Sequence, residues 1–132
     1  MSITLNDSRQ APLWAFVDIN LADFADGAVQ DAIELPGGAI VVGGFVQPLT
    51  SFNAATTATL KVGDSVDDDR YTSSPVDVKA LTPVQLGVTG YEMPAQGKLK
   101  VTYASTGTAA STGKCRLFVA YIRAGRTQST QG

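Results

Sequence analysis

The sequence predicts an all-β protein, a single antiparallel β-sandwich or jelly-roll-like domain with a flexible N-terminal arm. About eight stretches have alternating or continuous apolar and β-branched residues, with turn residues about every ten positions. Thirteen glycines and six prolines punctuate the 132 residues. No apolar pattern of helical period persists for the length of a helix, and the chain length suits one domain.

The N-terminal stretch, residues 1–12, is polar and aperiodic, which predicts the arm. Residues 13–126 form the predicted β-sandwich domain. Its first strand begins at Leu13, where apolar residues at alternate positions define one face of an extended segment, and a turn follows at residues 22–27. The polar residues 127–132 form a predicted C-terminal tail.

A second strand is predicted at residues 29–35 and ends at a Pro-Gly-Gly turn, residues 36–38. The β-branched run that follows, residues 39–46, contains the pair Gly43-Gly44, which predicts a bulge or bend, or a close backbone approach, in the strand before Pro48. Residues 56–62 alternate polar and apolar side chains, as a half-buried strand does.

The C-terminal half begins with an acidic loop at residues 63–70 and a short predicted edge strand at residues 76–81. Residues 98–103 alternate lysine or threonine with apolar residues, the clearest half-buried strand. The small polar residues 104–113 predict a hairpin loop. Residues 115–123 form the last predicted strand. Its residues 117–122 are apolar on both faces, which predicts a central, buried strand.

The composition argues against most enzyme classes. The sequence has no histidine and one cysteine, Cys115, which removes histidine-based triads, nearly all zinc enzymes and an internal disulfide. No nucleotide-binding glycine motif is present. We therefore expect no enzymatic activity and no cofactor. A net charge of −2 disfavours nucleic acid as a partner. No signal peptide is visible, and no apolar run approaches the ~18 residues of a membrane helix.

Charge is divided unevenly along the chain. Residues 1–69 hold ten acidic and two basic residues, a net charge of −8, whereas residues 70–132 hold two acidic and eight basic residues, a net charge of +6. Two interpretations are open. The halves pair within one subunit, or acidic and basic faces meet between neighbouring subunits and set their orientation.

The acidic loop contains a candidate calcium site formed by four aspartates, Asp64, Asp67, Asp68 and Asp69. The spacing lacks the glycine and the distal glutamate of an EF-hand loop. The alternative is a solvated loop in which aspartates accept backbone hydrogen bonds and one of them pairs with Arg70.

Aromatic residues cluster in the N-terminal half, where Trp14 and Phe16 lie beside the predicted arm. One interpretation is packing in the core. The other is that Trp14 and Phe16, with Arg9 of the arm, bind a partner surface, since aromatic anchors offer large contact area at low entropic cost.

Four segments between residues 30 and 126 resemble small virion structural proteins of tailed bacteriophages, in particular capsid decoration, or cement, proteins. They are ELPGGAIVVGG at 34–44, FNAATTATLKVGD at 52–64, DRY at 69–71 and LFVAYIRAGR at 117–126. The resemblance implies a protein that folds in the host cytoplasm and then binds the outside of the capsid. Its partners would be the major capsid protein and other copies of itself, commonly as a trimer.

Three alternatives stay open at this point. The first is another virion β-module, such as a head-fibre base, a tail-tube-like subunit or a tail-fibre adaptor. The second is a calcium-dependent β-sandwich that binds a carbohydrate or another ligand. The third, a hydrolase, has the least support, because the sequence lacks histidine and a paired-carboxylate motif.

Overall fold

The structure is a computed structural model that describes residues 9–124. The first eight residues of the predicted arm and the whole predicted tail, residues 127–132, lie outside the described residues. The elements are β1 (Leu13–Asn20), a short 3-10 helix (Leu21–Phe24), β2 (Val29–Leu35), β3 (Ala39–Thr50), β4 (Thr57–Gly63), β5 (Val76–Asp77), β6 (Val84–Gln85), β7 (Gly97–Thr106) and β8 (Lys114–Arg123). The all-β prediction is confirmed.

The strands form two antiparallel sheets of four strands that pack together as a sandwich. One sheet, called the front sheet, has the order β1-β8-β3-β6, and the other, the back sheet, has the order β2-β7-β4-β5. β1 and β2 are edge strands of their sheets, while β8 pairs with both β1 and β3. The predicted central position of the last strand is therefore confirmed.

The core lies between the two sheets and is built by the predicted alternation. Leu60 and Val62 of β4 and Leu99 of β7 are buried from the back sheet, while Leu117 and Val119 of β8 are buried from the front sheet. Their neighbours in sequence point away from the core, since successive side chains of a strand point to opposite faces. Among the described residues, fourteen isoleucine, leucine and valine side chains are buried. Their burial, at ~1.5–3 kcal/mol each, is the main force that holds the sheets together.

The predicted hairpin between β7 and β8 is wrong. β7 pairs with β2 and β4 in the back sheet, whereas β8 pairs with β1 and β3 in the front sheet, so the connection crosses between sheets. Asn53 holds it, since its side-chain Oδ1 accepts hydrogen bonds from the backbone N–H groups of Ser111 and Thr112 at 2.7 and 3.1 Å. A run of small polar residues indicates a loop, but it carries no information on which strand comes next to which.

Other predicted elements differ in extent. The predicted edge strand at residues 76–81 shortens to β5 at the edge of the back sheet, and β6 was not predicted. Leu21, predicted to extend the first strand, begins the 3-10 helix instead. β3 continues through Pro48 with a second irregularity between Pro48 and Thr50.

The glycine pair forms the predicted bulge. The register between β3 and β8 shifts between Val41 and Gly43, and Gly44 adopts a φ of 147°. The bulge adds one residue to β3 and lets the backbone of Gly44 approach that of β8 closely. After it, Phe45 lies opposite Phe118, which places both rings in one row across the sheet.

Candidate interaction surface

The outer surface of the front sheet carries a row of aromatic rings that crosses three strands. Phe16 of β1 pairs with Phe118 of β8, which in turn pairs with Phe45 of β3. The ring centroids of Phe16 and Phe118 are 5.8 Å apart, and those of Phe118 and Phe45 are stacked at 4.5 Å. Such separations are typical of favourable aromatic pairs.

Trp14 and Phe16 are exposed to solvent, with 60% and 62% of their surfaces accessible. The alternation in β1 explains this exposure. Ala15, Val17 and Ile19 pack on the core side, so the side chains of Trp14 and Phe16 point to the opposite face. Core packing is therefore the wrong interpretation for Trp14 and Phe16. It is correct for Phe52, which is fully buried. Trp14, Phe16, Phe45 and Phe118 are called the aromatic face below.

A charged cluster borders the aromatic face. The guanidinium of Arg116 donates two hydrogen bonds to the carboxylate of Asp18, one from Nη2 at 3.1 Å, and its central carbon lies 5.3 Å from the ring centroid of Phe16. Lys114 Nζ lies 3.9 Å from the same carboxylate. The hydrogen bond from Arg116 holds the pKa of Asp18 below its ordinary value of 3.8. This end of the face is thus bordered by a carboxylate with two cations.

Sequence reasoning singled out Trp14 and Phe16 but missed Phe45 and Phe118. The signal for Phe118 was present, since β8 is apolar on both faces and one of those faces must lie outside the core. Phe45 depends on the bulge, because a shift of one residue moves a side chain to the opposite face of a sheet.

The acidic and basic halves of the sequence pair within the chain. Asp18 pairs with Arg116, Asp31 pairs with Lys100 at 2.5 Å and Lys98 at 3.4 Å, and Asp64 pairs with Arg70. Each pair joins one residue of 1–69 to one of 70–132. Among the described residues, three acidic residues of the first half are thus paired with basic residues of the second half inside one subunit, and the Lys61–Asp68 pair lies within the first half.

Arg9 is exposed and precedes the first strand. Its neighbour Gln10 is tied to the end of β8, where its side-chain Oε1 accepts a hydrogen bond from the backbone N–H of Arg123 at 2.7 Å and its Nε2 donates to the carbonyl of Arg123 at 2.8 Å. The described residues just before β1 are therefore held beside Arg123. A partner contact by Arg9 stays a prediction.

The acidic loop is organised by Asp64, whose side chain is 6% exposed. One carboxylate oxygen, Oδ1, accepts hydrogen bonds from the backbone N–H groups of Val66 and Asp67, both at 2.9 Å, and Arg70 Nε donates to Oδ2 at 2.6 Å. The Arg70 guanidinium also lies 3.6 Å from the ring centroid of Tyr91. Burial raises the pKa of Asp64, but the hydrogen bonds from Arg70 and the two amides outweigh it and hold the pKa below 3.8.

The other three aspartates of the loop form an acidic cluster, with carboxylate oxygens within 4.8 Å of one another. Asp68 pairs with Lys61 at 2.9 Å, and the hydrogen bond and negative charge of Asp67 raise the pKa of Asp69. This arrangement matches the solvated-loop interpretation, including the pairing with Arg70. Calcium ligation by Asp64 would require loss of its ion pair, and binding by Asp67, Asp68 and Asp69 stays a prediction.

We expect Asp64→Ala to lower the free energy of unfolding by about 3 kcal/mol, because it leaves Arg70 and two loop amides without their acceptor. Asp68→Ala, which removes an exposed ion pair, is the matched control and should cost less than ~1 kcal/mol. Because the folded pKa of Asp64 lies below the unfolded value, its contribution is present above the unfolded pKa and is lost as the pH falls through the folded pKa.

The measurement for Asp64 is urea unfolding of the natural chain and both variants at pH 7 and at descending pH below ~4. The gap between the natural chain and Asp64→Ala should narrow over that acid range. An equal gap at every pH would show that the carboxylate charge does not stabilise the loop.

Cys115 is fully buried at the start of β8, and burial raises the pKa of its thiol to about 12. A thiol with such a pKa is protonated at neutral pH and is a poor nucleophile.

The part of the chain that the structure describes contains no helix with the length and apolar character of a membrane span.

The described residues thus form a small antiparallel β-sandwich with aromatic rings on the outer face of one sheet. No protein-family model matches the sequence, and no curated protein matches it either. Similarity is found instead to chains of solved structures. A chain of the Cyanophage Pam1 capsid asymmetric unit superposes with a TM-score of 0.68 and 22% identity, over 92% of this chain and 90% of that one.

Two further capsid structures contain a chain of the same fold. One is the acidic stable capsid structure of Helicobacter pylori bacteriophage KHP30, with a TM-score of 0.65, 16% identity and coverage of 86% of this chain and 88% of that one. The other is the capsid of Ralstonia phage GP4, with a TM-score of 0.60, 18% identity and coverage of 96% and 93%. At these identities, the similarity shows a shared fold.

Proposed function

We propose that this chain is a non-enzymatic structural protein of a bacteriophage virion, which binds the outside of the capsid and stabilises the lattice as a decoration, or cement, protein. The observation that carries the proposal is the match to chains of three phage capsid structures over at least 86% of both chains. Similarity over most of both chains favours a common role more than similarity of a single motif would.

The chemistry of the chain supports a binding role. The sequence has no histidine, and its single thiol is buried with a raised pKa. The charged pairs of Asp18, Asp31 and Asp64 hold strands or loops together, which is a structural role. An exposed aromatic face, by contrast, is the kind of surface that protein partners bury.

The mechanism is thermodynamic. A protein that binds the assembled lattice more tightly than it binds free capsid subunits shifts the assembly equilibrium toward the lattice. The size of the shift is set by the affinity and the concentration of that protein. Many copies on one shell add these contributions, and a trimer that contacts several capsid subunits gains further through multivalency. The partners in this proposal are the major capsid protein and other copies of the chain, after folding in the host cytoplasm.

The candidate contact residues for these partners are Trp14 and Phe16 on β1 and Arg9 on the arm that precedes it. Trp14 and Phe16 have the exposure that such contacts need. Gln10 fixes the start of β1 against Arg123, so Arg9 is held close to the end of the front sheet.

The test is cryo-electron microscopy of the purified virion, which gives the position and copy number of this chain. We expect density on the outer shell at local three-fold axes, in hundreds of copies. Particles assembled without this chain serve as the control and should lose integrity at a lower temperature. Density restricted to the tail or to one vertex would overturn the proposal in favour of a fibre base or adaptor, and absence from the particle would overturn it in favour of ligand binding.

A further inference from the structure

β1 is an edge strand whose outer side has no partner strand among the described residues. Its eight residues pair with β8 in unbroken register from Leu13 to Asn20. The strand contains no proline, no bulge and no lysine or arginine, which are features that prevent further pairing at the edge of a sheet. Its single charged residue, Asp18, is already paired with Arg116. β1 is therefore a long edge without protection.

The other three edges of the sandwich are protected. β5 and β6 have two residues each, and a proline directly precedes both strands. The register of β2 shifts between Asp31 and Ile33, and this strand carries the charged residues Asp31 and Glu34. Short strands, prolines, bulges and charges all hinder the addition of another strand. Of the edges that the structure describes, β1 alone is long, continuous and free of proline.

The hydrogen-bond pattern identifies the backbone groups of β1 that face away from β8. The backbone N–H of Leu21, the residue directly after β1, donates to the carbonyl of Gly113 at 3.0 Å and continues the same register. In an antiparallel pair, residues that bond to the partner strand alternate with residues whose N–H and C=O point away from it. The odd-numbered residues of β1 thus bond to β8. Trp14, Phe16 and Asp18 direct their N–H and C=O groups to the unpaired side.

Asn20 supports this assignment at the end of the strand. Its backbone N–H also points away from β8, and it donates to Oδ2 of Asp23 at 2.8 Å. Within residues 9–124, the outward backbone groups of Trp14, Phe16 and Asp18 have no comparable partner. These outward groups are called the open edge below. Such a row of free donors and acceptors is a surface onto which an extended chain adds as a strand.

We propose that the open edge binds an extended segment of a partner protein, which adds to the front sheet as a fifth strand beside β1. The position of the contact rests on the backbone of β1, and the assignment of the partner to the capsid rests on the proposed function. The free groups specify the occupant, because an extended backbone presents donors and acceptors at the spacing of a strand. A helix bonds its own backbone groups internally and cannot pair in this way.

The outer face of β1 specifies one set of side chains in that segment. Residues directly opposite each other in paired strands place their side chains on the same face and in contact. The side chains opposite Trp14 and Phe16 therefore lie beside these exposed rings. Aromatic and β-branched residues make favourable pairs with aromatic rings across strands. The segment is thus apolar at alternate positions.

The remaining side chains of the segment point into a groove of about 400 Å³ between β1 and β2. Its lining combines apolar side chains such as Val17 with four aspartates and contains no basic residue. Asp18 and Asp31 are paired with bases that lie outside the lining, whereas Asp23 and Asp26 form no ion pair within the described part of the chain. A lysine or arginine fits this groove, because its stem packs on apolar surface while its charge reaches the carboxylates.

Amide hydrogen exchange of the purified full chain, measured by NMR, tests the open edge. In the free chain, we expect the N–H groups of Trp14, Phe16 and Asp18 to exchange freely and those of Ala15 and Val17 to be protected by β8. The ligand is a capped eight-residue peptide in which valine alternates with lysine. When about 90% of the chain is bound, exchange of the three outward N–H groups should slow about tenfold, since it then proceeds from the free fraction.

The affinity of the peptide is measured from the emission of Trp14, the only tryptophan in the sequence. A peptide in which valine alternates with glutamate keeps the strand pattern but places like charge in the acidic groove. A valine–lysine peptide with two central prolines keeps the charge but cannot pair as a strand. Both control peptides should bind at least about tenfold more weakly than the valine–lysine peptide.

Phe16→Pro and Phe16→Thr separate the backbone contact from the side-chain contact. Both variants lack the ring, but only proline removes the outward N–H. Since this N–H bonds nothing in β8, both variants should fold with similar melting temperatures. Phe16→Pro should bind the valine–lysine peptide about threefold to tenfold more weakly than Phe16→Thr, the effect of one lost hydrogen bond. Should Phe16→Pro fail to fold, the exchange of the Trp14 and Asp18 amides still decides the proposal.

Four results would contradict the proposal. Protection of the outward amides in the free chain at every concentration would show that the chain itself covers the edge, and protection that rises with concentration would assign the edge to a second copy. Failure of the valine–lysine peptide to bind at millimolar concentration would exclude strand addition. Equal binding to Phe16→Pro and Phe16→Thr would show that the backbone of β1 is not used.

Cryo-electron microscopy of the virion distinguishes this proposal from the proposed function. We expect a strand of density from a neighbouring protein beside β1. A chain that lies on the shell with a bare β1 would contradict the strand addition and leave the proposed function intact. A chain that is absent from the virion but binds the valine–lysine peptide at the open edge would contradict the proposed function and leave the strand addition intact.

Discussion

Val119→Asp is expected to abolish folding. Val119 is 0% exposed at the middle of β8, between Ala15 of β1 and Gly44 of β3, and its side chain lies in the core cluster. An aspartate there would lie among the apolar side chains of that cluster and must either stay charged in an apolar site or be protonated. Either cost is several kcal/mol, a large share of the ~5–15 kcal/mol that stabilises a domain.

The measurement for Val119 is circular dichroism and thermal melting of the purified variant. Val88→Asp introduces the same charge at an exposed position and should melt close to the natural chain. Val119→Ala should fall between them, with a loss of about 2 kcal/mol from the missing methyl groups and the cavity they leave. A soluble Val119→Asp chain with an unchanged melting temperature would show that β8 is not the central strand.

Gly44→Ala is expected to destabilise the fold by about 3–5 kcal/mol, the sum of backbone strain and overpacking. A Cβ at this position would lie 2.2 Å from the carbonyl oxygen of Phe118, far inside contact distance, and φ is 147°, where side chains other than glycine are strained. The obstacle is backbone of the neighbouring strand, so no rotation of a side chain relieves it. The clash would move β3 away from β8.

Gly43→Ala is the matched control for Gly44, one residue earlier in the same bulge. A Cβ at Gly43 meets nothing within 4 Å, so this substitution should change the free energy of unfolding by less than ~1 kcal/mol. Urea unfolding of both variants gives the comparison. If both variants lost the same free energy of unfolding, the two glycines of the bulge would be equally sensitive to a side chain. The close approach of Gly44 to Phe118 would then not be the cause of the destabilisation.

Local pattern was sufficient to predict most strands. The period-two alternation around Leu60, Val62, Leu99 and Val101 reappears as burial in the back sheet. The Gly43-Gly44 pair was interpreted as a bulge or bend or a close backbone approach, and the structure has both the bulge and the close approach. These features depend on residues within a few positions of one another, so they can be predicted from the sequence without the tertiary structure.

Strand order was not predictable in the same way. The β7–β8 connection was interpreted as a hairpin, but it joins different sheets. Its residues, small and polar, are compatible with a tight turn or with a crossing. The choice is made by burial, because β8 is apolar on both faces and is most stable between β1 and β3, where neither edge is exposed.

The sequence by itself determined the all-β fold class, the position of most strands and the central place of the last strand. It also singled out Trp14 and Phe16 as candidates for a partner surface. Only the tertiary structure decided that these two rings lie outside the core, that Phe118 and Phe45 complete their row, and that Asp18 pairs with Arg116 across 98 positions. The physical reason is the separation in sequence of the residues that interact. Alternation and turn chemistry act between neighbours in sequence, whereas a surface is made by strands from distant parts of the chain, whose register depends on the packing of the whole sandwich.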